Sequence, residues 1–121
     1  MLRALLRAVS RSLGLEEGEP EAALGMASTL QIFIANLYPR YPDAGAAMGM
    51  PAHSDHGLFT LLVENGVGGL QIQHDGSNGI YKSVLHRAVV NGEKTRISVA
   101  MANGPSRDVV VESRGCARPA Y

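Results

Sequence analysis

The sequence is short of several features, and each shortage excludes a class of protein. A single cysteine, Cys116, excludes an internal disulfide and fits a reducing compartment, so we expect a cytoplasmic protein. Eleven basic and eleven acidic residues cancel, which leaves no electrostatic footprint for nucleic acid. No apolar run approaches the roughly 18 residues that span a bilayer. The 121 residues, 45% hydrophobic and 18% charged, are typical of a globular chain with room for one domain at most.

The first 28 residues have a helical pattern. Residues 1–15 place leucines at helical spacing and three arginines on the opposite side, which predicts an amphipathic helix. Because this stretch contains no acid before Glu16, an organelle transit peptide is a minor alternative to a structural helix. Pro20 suits the first position of a short second helix that ends near Leu24.

Residues 29–111 alternate in a way that predicts strands. The predicted strands cover residues 29–38, 59–63, 70–74, 81–90, 95–102 and 109–111, and residues 43–50 are predicted to form a loop. Asn91-Gly92 predicts a hairpin between two of these strands. In a hairpin with a three-residue turn and a glycine bulge, which we expect here, His86 would share a sheet face with Arg96 and Ser98. We therefore expect a helical segment (1–28), a β core (29–111) and an irregular tail (112–121).

The first candidate for chemistry is His53-Ser54-Asp55. If residues 52–55 are extended, the imidazole of His53 and the carboxylate of Asp55 leave the strand on one face. A third imidazole, for which His86 is the candidate, would complete two nitrogens and one oxygen on one side of a metal. That arrangement suits non-haem Fe(II) with open coordination positions. The alternative is a capping pair or a surface hydrogen bond, which a His and an Asp near a turn commonly form.

A second pair two residues apart, Arg96 and Ser98, points to an anion. Arginine is the side chain best shaped to hold a carboxylate through two parallel hydrogen bonds. Tyr38 could add a third donor, and Asn36, on the same strand face, could contact a metal-bound ligand or substrate. The alternatives are an exposed hairpin arginine, a half-buried tyrosine at a strand end, and a strand asparagine satisfied by the backbone.

Several motifs occur in an order that resembles a known family. They are Asn36-x-Tyr38-Pro39, His53-Ser54-Asp55-His56-Gly57, Gly68-Gly69-Leu70-Gln71, Tyr81-Lys82-Ser83-Val84-Leu85-His86-Arg87 and Arg96-Ile97-Ser98. In this order the chain resembles, over residues 5–106, the plant iron(II)- and 2-oxoglutarate-dependent dioxygenases. The nearest members are flavanone 3-dioxygenase-like and salicylate-hydroxylase-like proteins of flavonoid and hormone metabolism.

The resemblance implies a fold, a site and a reaction. The fold is a double-stranded β-helix, or jelly roll, with iron inside the barrel. The implied iron ligands and 2-oxoglutarate contacts fall on two sets of residues: His53, Asp55 and His86, and Arg96, Ser98 and Tyr38. The implied cofactors are Fe(II), 2-oxoglutarate and O2, with ascorbate as reductant. The implied reaction is hydroxylation or desaturation of a small aromatic or phenolic plant metabolite, with 2-oxoglutarate converted to succinate and CO2.

The chain departs from the family's pattern in three places. The N-terminal helical region is short, and the C-terminal helices beyond a point near Tyr121 are missing. His53 and His86 are 33 positions apart, and the family's interval is longer by roughly two dozen residues, enough for two or three strands. The junction falls at the crowded turn signals of residues 75–79.

Two other functions stay open beside the dioxygenase. We expect an incomplete jelly roll, whose open strand edges could associate with a second copy. One alternative function is therefore a catalytically inactive, truncated isoform that binds metal weakly or associates with other proteins. A small metal-free β-sandwich binding module is a third, unrelated class.

Overall fold

The computed structural model describes residues 1–43, 45, 47–73 and 81–111, and they form two compact units. One unit contains Met1–Leu30 together with the described residues from Pro105 onward, and the other contains Gln31–Gly104. The crowded turns of residues 75–79, with the junction predicted there, and the tail of residues 112–121 lie outside the described residues.

The first unit contains the predicted helices. They are α1 (Leu2–Ser12) and α2 (Glu19–Ala23), followed by a 3-10 turn over Met26–Ser28. The first helix ends before residue 15 because Gly14 adopts a left-handed φ of 69°, as is common just past a helix end. Leu6 is buried, and the Ser10 hydroxyl donates to its carbonyl oxygen at 2.7 Å. No helix among the described residues is long and apolar enough to cross a membrane.

The predicted strand at residues 109–111 is wrong. In the structure this stretch belongs to the first unit and follows a turn, in which the Val109 N–H donates to the Ser106 carbonyl at 3.3 Å. The Ser106 N–H in turn donates to the Leu24 carbonyl at 3.0 Å. The valines have strand propensity, but propensity alone does not form a strand without a neighbouring edge to pair with.

Within the described residues, the second unit is built from six strands in two sheets. They are β1 (Leu30–Tyr38), β2 (Met48–His53), β3 (Phe59–Glu64), β4 (Leu70–Ile72), β5 (His86–Val89) and β6 (Arg96–Gly104). The long sheet has the order β1-β6-β3, and the short sheet has the order β2-β5-β4. The pairs β3/β6, β2/β5 and β4/β5 are antiparallel. The second unit is therefore a two-sheet, mainly β structure.

The predicted hairpin between residues 81–90 and 95–102 is wrong. Its two strands, β5 and β6, lie in different sheets. The turn chemistry itself is present, because the Asn91 side-chain oxygen accepts the N–H groups of Glu93 and Lys94 at 2.8 and 2.9 Å. An Asn-Gly turn indicates where the chain reverses, but it does not say whether the flanking strands pair. Here the connection carries the chain from one sheet to the other.

The predicted loop at residues 43–50 is partly wrong, because β2 begins at Met48. Its register with β5 shifts twice, between Met48 and Met50 and between Met50 and His53. Pro51 lies within the second shift, on an edge strand, where the lack of an N–H does not interrupt a regular ladder. The glycine and proline that hide this strand in the sequence are thus accommodated by irregular pairing.

The most buried side chains of the second unit are largely polar. Arg96, Ser98 and Asn103 are each 1% exposed, and Tyr38 is 8% exposed. Alternation along β6 places Arg96, Ser98 and Ala100 on one face. A large apolar side chain such as Val63, by contrast, is 71% exposed. The most buried side chains of this unit therefore include groups that can bind a ligand.

Candidate metal and carboxylate site

A cavity of about 100 Å³ is lined by strands of both sheets. Every residue that the sequence predicted for the site lines it: Asn36, Tyr38, His53, Asp55, His86, Arg96 and Ser98. The predicted sheet face shared by His86, Arg96 and Ser98 is wrong, because His86 lies on the short sheet and Arg96 and Ser98 lie on the long sheet. The three side chains instead line the same cavity from opposite sheets. The walls between them are apolar and include Ile34, Met50, Leu62 and Leu70.

At one end of the cavity two imidazoles and a carboxylate converge. His53, the last residue of β2, is paired in register with His86, the first residue of β5, and their ring centroids are 4.4 Å apart. Asp55 lies two residues beyond the end of β2, and its Oδ1 is 3.7 Å from the Nε2 atom of each histidine. One potential ligand atom from each residue lies within 4.8 Å of the others.

The backbone orients both imidazoles in the same way. Nδ1 of His53 lies 2.8 Å from the Pro51 carbonyl oxygen, and Nδ1 of His86 lies 3.0 Å from the Val84 carbonyl oxygen. In the tautomer with the proton on Nδ1, each ring donates to a carbonyl two residues earlier in the chain. Nε2 is then left with a free lone pair directed to the cluster, the orientation that carbonyl acceptors give to metal-ligating histidines.

The cluster fits a divalent cation by two observations. Half of the 3.7 Å separation between Asp55 Oδ1 and each Nε2 is shorter than a metal–ligand bond of about 2.0–2.2 Å. One ion can therefore contact both atoms of each pair. Two imidazoles and one carboxylate on one side of an ion are also the donor set of non-haem Fe(II) sites with open positions.

At the other end of the cavity a buried arginine is surrounded by donors. Nη1 of Arg96 lies 3.4 Å from the Ser98 hydroxyl, and the guanidinium carbon lies 5.1 Å from the centroid of the Tyr38 ring. The Asn36 amide lies 3.5 Å from the same hydroxyl. Because the serine oxygen accepts in both contacts, its own proton is free to be donated to a carboxylate.

Glu64, which holds this arginine, was not among the site residues predicted from the sequence. Oε2 of Glu64 accepts from Arg96 Nε at 2.9 Å and from Nη2 at 2.8 Å. Glu64 lies opposite Ser98 in the β3/β6 register and shares a strand face with Thr60 and Leu62. The signal was available, because a buried arginine almost always requires an acid and strand parity directs Glu64 inward.

Two glycines allow the sheets to close on the carboxylate end. A Cβ at Gly49 would lie 2.9 Å from Cδ1 of Tyr38, and a Cβ at Gly69 would lie 3.1 Å from Cδ of Arg96. Gly69 also has a φ of 114°, which side-chain-bearing residues rarely adopt. Gly49 lies against Tyr38, which lies beside Arg96, and Gly49 precedes His53 by four residues on β2. The metal cluster and the arginine therefore lie toward opposite ends of the cavity.

Thr60 adds a polar group that is not satisfied by the protein. Its hydroxyl oxygen is buried and has no hydrogen-bond partner among the described residues, and the residue lines the cavity. Buried hydroxyls are normally paired, so an orphaned one in a cavity is an observation to explain. A polar ligand inside the cavity would supply the missing partner.

Comparisons with known proteins agree with this geometry. Residues 29–78 match the model of the 2OG-Fe(II) oxygenase superfamily. The chain is 45% identical to 2-oxoglutarate-dependent dioxygenase 19 of Oryza sativa subsp. japonica, over 93% of this chain and 40% of the relative. It is 35% identical to leucoanthocyanidin dioxygenase of Vitis vinifera, over 94% of this chain and 38% of the relative. A crystal structure of JOX2 in complex with 2OG, Fe and JA superposes with a TM-score of 0.84 at 29% identity, covering 93% of this chain and 40% of JOX2.

The chain therefore belongs to the 2OG-Fe(II) oxygenase superfamily. Within it, the chain's relatives include plant 2-oxoglutarate-dependent dioxygenases. The predicted fold is confirmed, since the two antiparallel sheets with a short N-terminal helix form part of a jelly roll.

The chain is shorter than these relatives in two senses. It spans about 40% of the length of the curated relatives it matches. In addition, 93% of the chain is about 113 residues, whereas the alignment with the rice relative has 137 positions. About 24 aligned positions therefore have no counterpart in this chain, which agrees with the predicted loss of roughly two dozen residues.

Proposed function

We propose that this chain holds Fe(II) through His53, Asp55 and His86 and binds 2-oxoglutarate in the same cavity, as a dioxygenase acting on a small aromatic or phenolic plant metabolite. One observation carries the proposal: a two-histidine, one-carboxylate cluster and a buried arginine with a serine and a tyrosine line one cavity. The relation to leucoanthocyanidin dioxygenase supports a substrate of the flavonoid kind.

The protein's part in this chemistry is ligation and positioning. His53 and His86 would present Nε2 because their Nδ1 atoms are engaged by backbone carbonyls. Arg96 and the Ser98 hydroxyl would hold the far carboxylate of 2-oxoglutarate through charge-assisted hydrogen bonds, with Tyr38 beside them. Asn36, which shares the Ser98 hydroxyl with Arg96, would keep that hydroxyl aimed at the ligand.

Bound iron and 2-oxoglutarate together would supply the oxidation, in which 2-oxoglutarate leaves as CO2 and succinate, which takes one oxygen atom of O2; the other atom enters the substrate as a hydroxyl or, in a desaturation, leaves as water. The apolar walls at Ile34, Met50 and Leu62 would keep water from the reacting centre. Ascorbate would keep the metal in the ferrous state between turnovers.

A second candidate is a chain that binds the metal without turnover and associates with another protein or copy. The roughly 24 missing positions favour it. So do the exposed apolar side chains on the edge strands β3 and β4, where Val63 is 71% and Ile72 59% exposed. Such edges offer unpaired backbone groups to an incoming strand.

The first experiment is an anaerobic titration of the purified chain with Fe(II) and then 2-oxoglutarate. We expect a visible metal-to-ligand charge-transfer band, which requires the metal and the chelating 2-oxo acid in one site. Asp55→Ala, which removes the carboxylate of the cluster, should abolish the band. A wild-type chain without a band would contradict the proposed site.

Admission of air then separates the two candidates. Conversion of 2-oxoglutarate to succinate supports the dioxygenase, whereas a band without succinate supports the binding-only chain. Size-exclusion chromatography with light scattering on the same sample tests association. A monomer at all concentrations would remove the case for self-association through β3 and β4.

A further inference from the structure

The contacts of Arg96 divide its guanidinium into two parts. Of its five N–H groups, Glu64 Oε2 takes the one on Nε and one on Nη2, and the Ser98 hydroxyl takes one on Nη1. In the part of the chain that the structure describes, one N–H on each terminal nitrogen has no protein partner and remains for a ligand. Two such groups form the fork that binds a carboxylate through parallel hydrogen bonds.

The backbone on both sides of Arg96 is fixed by the neighbour of Glu64. The Asn65 side chain donates to the Thr95 carbonyl at 3.0 Å and accepts the Ile97 N–H at 3.1 Å. The Asn65 N–H also donates to the Ile97 carbonyl at 3.1 Å. Asn65 therefore holds the main chain around the arginine, while Glu64 holds its side chain.

We propose that Glu64 is a positioning residue for the cosubstrate, which it orients through Arg96 without contacting it. By fixing the Nε side of the guanidinium through one carboxylate oxygen, Glu64 sets the direction in which the remaining N–H groups face the cavity. This inference rests on the proposed function, since it takes the ligand to be the far carboxylate of 2-oxoglutarate.

We expect the ion pair with Glu64 to orient the guanidinium as well as to stabilise it. The Arg96 side chain is 2% exposed, but the Glu64 side chain is 30% exposed, so solvent screens the attraction. The geometry, with one oxygen shared between two nitrogens, restrains rotation of the guanidinium. A ligand that needs both remaining N–H groups is sensitive to that restraint, and a ligand that does not use Arg96 is not.

The test compares two 2-oxo acids in anaerobic Fe(II) titrations of the whole chain, read by the charge-transfer band. 2-Oxoglutarate has the far carboxylate, and 2-oxobutyrate chelates the metal in the same way but gives Arg96 nothing to bind. The variants are Glu64→Gln, which keeps an acceptor oxygen in place, and Glu64→Asp, which keeps the charge but withdraws it by one methylene. Val63→Thr, exposed on the opposite face of β3, is the matched control.

We expect Glu64→Asp to raise the Kd for 2-oxoglutarate about tenfold or more, the effect of losing charge-assisted hydrogen bonds. The Kd for 2-oxobutyrate should not change, and Glu64→Gln should retain 2-oxoglutarate binding within about threefold of wild type. Val63→Thr should match wild type with both acids.

Three results would overturn the inference. Equal 2-oxoglutarate binding by wild type and Glu64→Asp would remove the positioning role while leaving the proposed function intact. Equal losses for both acids would indicate a structural role only. A wild-type chain that binds neither acid would contradict the proposed function and this inference together.

Discussion

The two ends of the cavity are built in different ways. At the carboxylate end, Arg96 and Ser98 are 1% exposed, and the guanidinium has its acid and its hydroxyl partners within the protein. At the metal end, the side chains of His53 and Asp55 are 37% and 35% exposed, and Asp55 lies 3.7 Å from each imidazole nitrogen. At the carboxylate end, contacts within the protein already hold the side chains together. At the metal end, the side chains converge on one point, but Asp55 lies 3.7 Å from each imidazole nitrogen.

The difference follows from the side chains at each end, because only the carboxylate end contains a buried, permanently charged guanidinium. A buried guanidinium is stable only with a partner, so Arg96 is part of the folded core whether or not a ligand is present. The side chains of His53 and Asp55 are partly exposed, and a cation would supply the attraction that holds Asp55 to the two imidazoles. Changes near Arg96 should therefore affect the free energy of unfolding, and changes at Asp55 should affect metal binding alone.

The largest effect should come from Gly69→Ala. Its Cβ would lie 2.8 Å from the Val89 carbonyl oxygen and 3.1 Å from Cδ of Arg96, at a φ of 114°. Strain and overpacking each cost about 1–3 kcal/mol, so we expect the free energy of unfolding to fall by about 2–4 kcal/mol. Urea denaturation followed by circular dichroism measures this value.

Gly66→Ala is the matched control for that change. Gly66 also has a positive φ, 76°, but a Cβ there would meet open space. Only the backbone cost of about 1–2 kcal/mol should appear. Equal losses for the two variants would mean that close packing against Arg96 contributes nothing, and the contrast between the two ends would be wrong.

An intermediate effect, confined to metal binding, should come from Asp55→Asn. The Asp55 side chain is partly exposed and its Oδ1 lies 3.7 Å from each imidazole nitrogen, beyond hydrogen-bond distance, so the unfolding free energy of the apo chain should change by less than about 0.5 kcal/mol. In wild type, metal at a hundredfold excess over its Kd should add about 2.7 kcal/mol. We expect the variant to lose that increment in thermal unfolding with and without Mn²⁺.

Asp43→Asn, at an exposed position outside the cavity, serves as the control and should keep the full increment. A metal-dependent stabilisation that persists in Asp55→Asn would place the cation elsewhere. A large loss of stability in the apo variant would mean that the metal end is as much a part of the core as the arginine end.

The residues of the site could be predicted from the sequence because they sit in short local patterns. His53 and Asp55, and likewise Arg96 and Ser98, are two residues apart, and the backbone alone places such pairs together. Asn36 and Tyr38 follow the same rule on β1 and line the same cavity. The order of the motifs then identified the family and, through it, the jelly roll.

What could not be predicted depends on contacts between distant segments. Nothing local states that β5 and β6 belong to different sheets, since an Asn-Gly turn is compatible with a hairpin or a crossover. The strand β2 is concealed by Pro51 and Gly49, which lower strand propensity but are tolerated at an irregular edge. Glu64 lies one residue beyond the predicted strand 59–63, and although strand parity directs it inward, its place beside Arg96 depends on the β3/β6 register.

The smallest effect, and one of opposite sign, should come from Thr60→Val. The Thr60 hydroxyl is buried in the cavity and has no partner in the described part of the chain, and leaving such a group unpaired costs about 1–3 kcal/mol. Its replacement by a methyl group of similar size should raise the unfolding free energy of the apo chain by about 1 kcal/mol. Thr29→Val is the control, because the Thr29 hydroxyl donates to the Met26 carbonyl at 3.1 Å and its loss should destabilise. If both valine variants lose stability, a water molecule already forms a hydrogen bond with the Thr60 hydroxyl. The hydroxyl would then need no ligand as its partner.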